Sequence, residues 1–249
     1  MNASPTLLID GDLILYRATS AVEVDWRIDE DNHILFSNAA EAFDLFVQQI
    51  DKLKDTLGTD SVVIAFTKGQ SFRTSIYTSY KAPRMGNRKP LAFADVRERV
   101  EATYRTLIHP GLEADDVLGI WATRGTFINP IIVSEDKDLK TIPGKLYRQN
   151  ELVELSEEEA NYNFMFQTLT GDVTDGYPGC PKIGPKTAEK LLGETRKLDE
   201  MWAKVVATYE HNGLSEDDAI VQARMARILR ASDWDDKLKE PILWTPVTA

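Results

Sequence analysis

The residues best suited to chemistry in this chain are carboxylates. In the stretch GLEADDVLGIWATR, Gly111 to Arg124, the acids Glu113, Asp115 and Asp116 fall within four positions, just ahead of an apolar run. Val117, Leu118, Ile120 and Trp121 recur at helical spacing, so the acids occupy the first turn of a buried helix. One carboxylate there complements the partial positive charge of a helix N-terminus; three exceed that need. Other acids take comparable places. Asp10 closes the run LLI, Asp136 and Asp138 follow IIVS within SEDKD, and Asp172 and Asp175 belong to GDVTD, after a helix ending near Leu169. Ligands of an open parallel sheet bind outside the carboxyl ends of its strands. The eight acids account for most of the net charge of −11, which would be −3 without them.

Such a cluster does not stay empty and fully ionised. Two carboxylates about 6 Å apart repel by roughly 3 kcal/mol at an effective dielectric near 20. Several such pairs would consume much of a folding stability of about 5–15 kcal/mol. Either some acids are protonated or cations sit among them. Oxygen ligands without His or Cys favour Mg²⁺ or Mn²⁺ over Zn²⁺, and two such ions clamp a phosphodiester and activate water. The competing reading makes the acids unrelated caps and exposed turns, and for Asp12 and Glu135 it is the one preferred.

A second constellation lies in GYPGCPKIGPKTAEKLL, residues 176–192. Gly179, Ile183, Gly184, Lys186, Thr187 and Ala188 follow the pattern of a helix–hairpin–helix turn. Glycines let backbone approach a phosphate closely, Pro185 opens a helix whose free amides face it, and Lys186 adds charge. A plain helix-connecting turn is the alternative. Third, no acid occurs from Ser61 to Ala94, where the average density predicts about five, yet Lys68, Arg73, Lys81, Arg84, Arg88 and Lys89 do. Phe72, Tyr77 and Tyr80 interleave with these cations, the composition of a channel that stacks bases and holds phosphates.

The elements that must position these groups can be read along the chain. TLLID (6–10), SVVIAF (61–66) and PIIVS (130–134) are buried strands, residues 23–38 a hairpin whose acids form a solvated turn, and KLYRQN and LVEL short strands. Helices are predicted at 39–57, about 92–107, 113–124, from a Ser156–Glu159 capping box to Leu169, then at 185–193, 197–210 and 216–231. Strands alternating with helices, then helices alone, give an α/β fold: a mainly parallel central sheet flanked by helices, with a helical C-terminal region. The expected division is a core over 1–170, with a basic excursion at about 67–91, and a helical region over 171–249. At 249 residues, 43% hydrophobic and 28% charged, the composition is that of a soluble globular protein. No apolar run approaches a membrane span, the N-terminus lacks a basic leader, and the single Cys180 suits a reducing cytosol, so a cytoplasmic location is expected. His33, His109 and His211 are too scattered for a zinc site or a histidine triad.

Taken in order, LLIDGD, EADD, SEDKD, GDVTDGYPG, KIGPKTAEKLL and the tail QARMARILRASDW resemble the 5′ nuclease superfamily of flap endonucleases and 5′→3′ exonucleases, and within it the exonucleases of short-tailed bacteriophages. The resemblance covers most of the chain and implies a PIN-like core. It implies a two-metal site, with Asp10, Glu113, Asp115 and Asp116 in the first region, Asp136 and Asp138 between, and Asp172 and Asp175 toward the second. It places SYKAPR at an arch or gateway, where Tyr80 would stack on the base at the cut and Lys81 and Arg84 would act on the scissile phosphate, with Arg73 a further phosphate contact. The 179–186 turn resembles the family's helix–three-turn–helix, which grips duplex DNA and often binds K⁺. Implied partners are DNA 5′ ends, flaps and duplex, RNA–DNA hybrids and replication proteins, and the implied setting is phage replication or host DNA degradation inside a bacterium. Two features depart from the family: Thr67 and Lys68 stand where many relatives carry an acid, and Pro83 and Pro90 oppose a long arch helix. Two rivals are a phosphatase of the haloacid dehalogenase type, on LLIDGDLIL and GDVTD, and a non-catalytic nucleic-acid-binding module.

Overall fold

The computed structural model describes residues 4–84 and 86–246. Its centre is β1 (Thr6–Asp10), every residue of which is buried. Gly11 turns the chain at once into α1 (Gly11–Ala21), a helix that the reading of the sequence passed over. A Cβ at Gly11 would lie 2.5 Å from Ile64 Cγ2 and 2.8 Å from the Ala65 carbonyl, so only glycine lets this helix start against the neighbouring strand. A hairpin follows, β2 (Glu23–Arg27) against β3 (His33–Ser37), and then α2 (Ala39–Leu57), capped by Asn38 and stopped by left-handed Gly58.

The chain re-enters the sheet as β4 (Val62–Lys68), parallel to β1. Among its described residues, the basic excursion after β4 contains only α3 (Arg73–Ile76) and a 3₁₀ turn at Ala82–Arg84, as the prolines led one to expect. The helix predicted over 92–107 is shorter: α4 (Phe93–Thr103) ends early and β5 (Thr106–Pro110) pairs parallel to β4. Thr106, Leu107 and Ile108 are too few to betray a strand by alternation, and pairing with β4 decides. After α5 (Ala114–Thr123) come β6 (Pro130–Val133) on the other side of β1, β7 (Gly144–Arg148), and the antiparallel edge β8 (Glu151–Leu155).

The six-stranded order is β5-β4-β1-β6-β7-β8. The chain therefore builds outward from β1 in one direction and then in the other, and β1 and β6 flank the switch point where such sheets open a crevice. Helices α1, α2 and α4 cover one face of the sheet with Phe46, Ile50, Val96 and Val100. Helix α5 covers the other with Val117, Leu118 and Ile120. A third cluster joins α6 (Glu157–Thr170), α7 (Pro185–Leu192), α8 (Leu198–His211) and α9 (Glu216–Ala226), with Phe164, Met201 and Tyr209 buried at its centre. Helix α9 stops at Ala226 instead of continuing to 231, because the next residues run extended beneath α5, where the Leu229 amide bonds Asp116. A short ladder of β9 (Trp234–Asp235) with β10 (Glu240–Pro241) follows.

Candidate active site

Asp10 ends β1 and caps α1, accepting from the Leu13 amide at 3.3 Å and from the Ser134 hydroxyl at 2.8 Å. Ser134 directly follows β6, and its hydroxyl also accepts from the Asp136 amide, so one side chain ties the ends of the two central strands together. Asp136 in turn accepts from the Asp138 amide at 2.8 Å. Gln167 of α6 donates to Asp138. Asp115, in the first turn of α5, feels both Asp10 and Asp136. The sheet, its switch point and α5 thus bring Asp10, Asp115, Asp136 and Asp138 to one mouth.

These acids behave as a crowded set. Burial, joined by repulsion from Asp12 and Asp136, pushes Asp10 up to about 6 despite the Ser134 bond. Burial and the charge of Asp136 push Asp138 up to about 7. Asp115 is raised well above the usual carboxylate range by burial and then by Asp10 and Asp136.

The 172–177 turn closes the far side. Asp172 accepts from the amides of Thr174 and Asp175 and pairs with Lys137 at 3.1 Å. Burial opposes its charge, but Lys137 and those amides win and hold it below the usual range. Asp175 faces the basic excursion: Arg84 lies 2.6 Å from Oδ1, and Lys81 3.9 Å from Oδ2. Burial still raises Asp175, although Lys81 and Arg84 pull the other way. Lys81 also pairs with Glu113, and its amide donates to the Asp175 carbonyl at 2.7 Å. Gly176 makes this docking feasible, since a Cβ there would lie 2.7 Å from the Ser79 carbonyl. Lys81 and Arg84 therefore lie beside Glu113 and Asp175.

Three other assignments change. Asp116 is fully buried and turned away from the mouth: Arg73 Nη1 reaches its Oδ2 and Nη2 its Oδ1, each at 2.7 Å, and the Leu229 amide takes a further bond. It holds the fold under the site and has no free oxygen for a metal. Arg73 is correspondingly 2% exposed and out of reach of a phosphate. It also bonds Glu113 at 3.0 Å, and with Lys81 it keeps that carboxyl below its usual range against the effect of burial. Tyr80, at 5% exposure, buries its ring against Tyr177 and gives its hydroxyl to Glu113 at 2.8 Å, so it presents no face to a base. Arg88 is exposed but paired with Glu23, which also accepts from the Leu91 amide; the hairpin acid set aside as solvated anchors the excursion. Lys89 stands over the Phe93 ring at 4.3 Å.

The second motif divides similarly. Gly184 caps α7, Pro185 takes its first position, Lys186 and Thr187 are exposed beside them with Lys182, and Ile183 is half-buried against the helical cluster. Gly179 does not join them: its amide donates to Gln222 at 2.9 Å inside the core, and a Cβ would lie 2.3 Å from the Gly171 nitrogen. It packs the turn, with its amide bonded inside the protein. The reading of the sequence missed Ser134, Lys137 and Gln167, although Ser134 and Lys137 stand inside the quoted SEDKD neighbourhood.

The donor set around the mouth is all oxygen, which suits a hard divalent ion. Among the described residues no three acids stand close enough to hold one as placed, and Lys81, Arg84 and Lys137 occupy positions between them.

Residues 5–164 match the family described as 5′-3′ exonuclease, N-terminal resolvase-like domain, and residues 160–244 match the 5′-3′ exonuclease C-terminal SAM fold. The chain belongs to the 5′-3′ exonuclease family. The exonuclease is 28% identical to the exonuclease of Escherichia phage T7 over 96% of this chain and 93% of that protein. It is equally similar, at 28% over 96% of the chain and 92% of the relative, to the exodeoxyribonuclease of Enterobacteria phage T3. Its fold matches the bacteriophage T5 flap endonuclease, solved as a pseudo-enzyme-product complex with DNA and metal ions, with a TM-score of 0.68 at 14% identity over 89% of this chain and 88% of the other. The phosphatase rival is thereby set aside, and so is the non-catalytic module. No helix of the described residues is long and apolar enough to cross a membrane.

Proposed function

We propose that this exonuclease is a divalent-metal-dependent 5′→3′ exodeoxyribonuclease that also cuts 5′ flaps, hydrolysing phosphodiesters with two Mg²⁺ or Mn²⁺ ions and leaving 5′-phosphates. The observation that carries the reading is the convergence of Asp10, Asp115, Asp136 and Asp138 from β1, α5 and the β6 end, facing Lys81 and Arg84 across Glu113 and Asp175. Asp10, Glu113, Asp115, Asp136, Asp138, Asp172 and Asp175 would hold the ions. When bound, they lower the pKa of an attacking water and offset phosphate charge.

The chain's own residues do the rest. Ser134 and Gln167 orient Asp10 and Asp138 through fixed hydrogen bonds. Lys81 and Arg84, released from Glu113 and Asp175, can hold the scissile phosphate and stabilise its developing charge. Buried Tyr80 locks the excursion onto Glu113 until they are released. Ile183, Gly184, Lys186 and Thr187 would grip the backbone of the duplex, with K⁺ at the same turn. The chain divides functionally into a core over 1–170 and a DNA-gripping region over 171–249. Action on RNA–DNA hybrids, replication proteins as partners, and work in a bacterial cytoplasm during phage replication or host DNA degradation complete the reading.

The test is a time course on 5′- and 3′-labelled duplex, 5′-flap and RNA–DNA substrates with Mg²⁺ and with chelator. Mononucleotides or short products from the 5′ end, dependent on Mg²⁺ and lost in Asp10→Asn, are expected. Cleavage that persists in chelator, or proceeds from 3′ ends, rejects the proposal.

A further inference from the structure

The hairpin of β2 and β3 stands apart from the central sheet as a ribbon of two strands. Both strands alternate, with the apolar side turned to water. Val24, Trp26 and Ile28 share that side with Ile34 and Phe36 across the ribbon, and all five are exposed, Trp26 at 75% and Phe36 at 62%. The charges take the other side: Asp25 pairs with His33 at 3.0 Å, and Glu23 holds Arg88 and the Leu91 amide. A lone two-stranded ribbon is marginally stable in water, and a contiguous apolar patch marks a contact surface. The turn is pinned, because Asp29 accepts from the amides of Asp31 and Asn32 and from the Asn32 side chain. Asp29, Glu30 and Asp31 crowd this tip, and no salt bridge among the described residues includes them. Three unpaired acids repel a nucleic-acid backbone or an anionic lipid surface, which favours protein as the occupant.

The face fits a second copy of itself. Its five side chains leave on the order of 600 Å² in water, so two stacked faces remove up to twice that, the lower limit of specific interfaces. Val24 lies opposite Phe36, Trp26 opposite Ile34, and Ile28 opposite Asn32, which gives three rows. A two-fold axis running across the strands at the middle row stacks β2 on β2 and β3 on β3 with their directions reversed. Trp26 then meets its own copy, Val24 meets the partner's Ile28, and bulky Phe36 lies over the slim Asn32. An axis along the strands would instead set tip on tip and bring six acids together. We infer that this face joins two copies of the chain in a two-fold, antiparallel stack of hairpins. The net charge of −11 opposes the approach of two copies, but salt screens it beyond about 8 Å at physiological ionic strength. Added salt should therefore favour the pair.

Sedimentation velocity of the full chain without DNA, across the micromolar range and at two salt concentrations, tests the pairing. The parent should pass from monomer to dimer as its concentration rises, and sooner at the higher salt. Val24→Lys and Ile28→Glu should each weaken the dimer at least about tenfold, since each buries an unpaired charge. An equimolar mixture of the two should recover it: the new Lys meets the new Glu, and the second Val24–Ile28 contact is intact. Trp26→Ala should weaken the dimer without adding charge. A parent that stays monomeric throughout overturns the inference, as does a dimer that survives every substitution or dissolves in added salt. A mixture that stays monomeric overturns the antiparallel stack. Weaker DNA binding by Trp26→Ala with a monomeric parent would give the face to nucleic acid instead. Should a charged variant fail to fold, Trp26→Ala and the parent's response to salt still decide.

Discussion

Arg73 and Asp116 meet in a two-pronged ion pair, with both contacts at 2.7 Å, entirely inside the protein. Breaking a buried pair by removing one partner leaves an uncompensated charge and costs about 3–5 kcal/mol. Asp116→Asn should therefore lower the unfolding midpoint in chelator as well as in Mg²⁺. Denaturant unfolding in chelator checks this: a parental midpoint would mean that the pair contributes nothing and that Asp116 acts elsewhere.

The raised acids set a pH dependence of the opposite kind to ordinary acid denaturation. Asp10 at about 6 and Asp138 at about 7 bind protons more readily in the folded chain than in the unfolded one. Their contribution therefore destabilises at pH 8 and is relieved as pH falls through 7 and 6. Metal-free protein should gain on the order of 1 kcal/mol between pH 8 and pH 6, and saturating Mg²⁺ should flatten the slope. Midpoints measured in chelator that fall steadily over that range would contradict the assignment.

Lys81 occupies space between Glu113 and Asp175 that a divalent ion would also favour. Lys81→Ala should tighten Mg²⁺ or Mn²⁺ binding severalfold in the absence of DNA while slowing cleavage by at least about tenfold. Calorimetric titration of Mn²⁺ and single-turnover cleavage measure the two effects. Weaker metal binding in the variant would make Lys81 a support for the acids and not their competitor.

At the second motif, exposure divides residues that look alike in sequence. Lys186→Ala should weaken duplex binding and reduce the slope of log K against log salt by about 1. Gly179→Ala should instead fail to fold, since its Cβ would lie within 2.6 Å of the backbone of Leu169, Thr170 and Gly171. Duplex binding by fluorescence anisotropy at several salt concentrations, with circular dichroism of both variants, separates the two roles.

Much of this was legible in the sequence for a physical reason. Acids at strand ends and helix starts are fixed by elements whose periodicity is visible, so Asp10, Asp115, Asp136 and Asp138 could be placed together. Asp116 could not be told from Asp115, because adjacent helical positions differ by a rotation that carries one to the mouth and the other under it. Arg73 and Tyr80 read as surface groups from a basic, proline-rich composition, whereas their burial depends on contacts more than 30 residues away. Helix α1 was missed because Gly11 and Asp12 look like a turn. Strand β5 was missed because five residues carry too little pattern to outweigh the helix before them. The motif order gave the family; the roles of single side chains within it needed the packing.

Arg73 also donates to the carbonyl oxygens of Met225 and Arg227, and Asp116 receives the Leu229 amide. The border near residues 160–164, where the two family segments meet, is thus no seam that recombination could use freely. A chimera that imported a relative's C-terminal segment would keep the Arg73–Asp116 pair but deprive Arg73 Nε and Asp116 of their backbone partners unless the incoming chain took the same course past α5. Exchanging one segment alone therefore asks the other to accept new partners for buried polar groups.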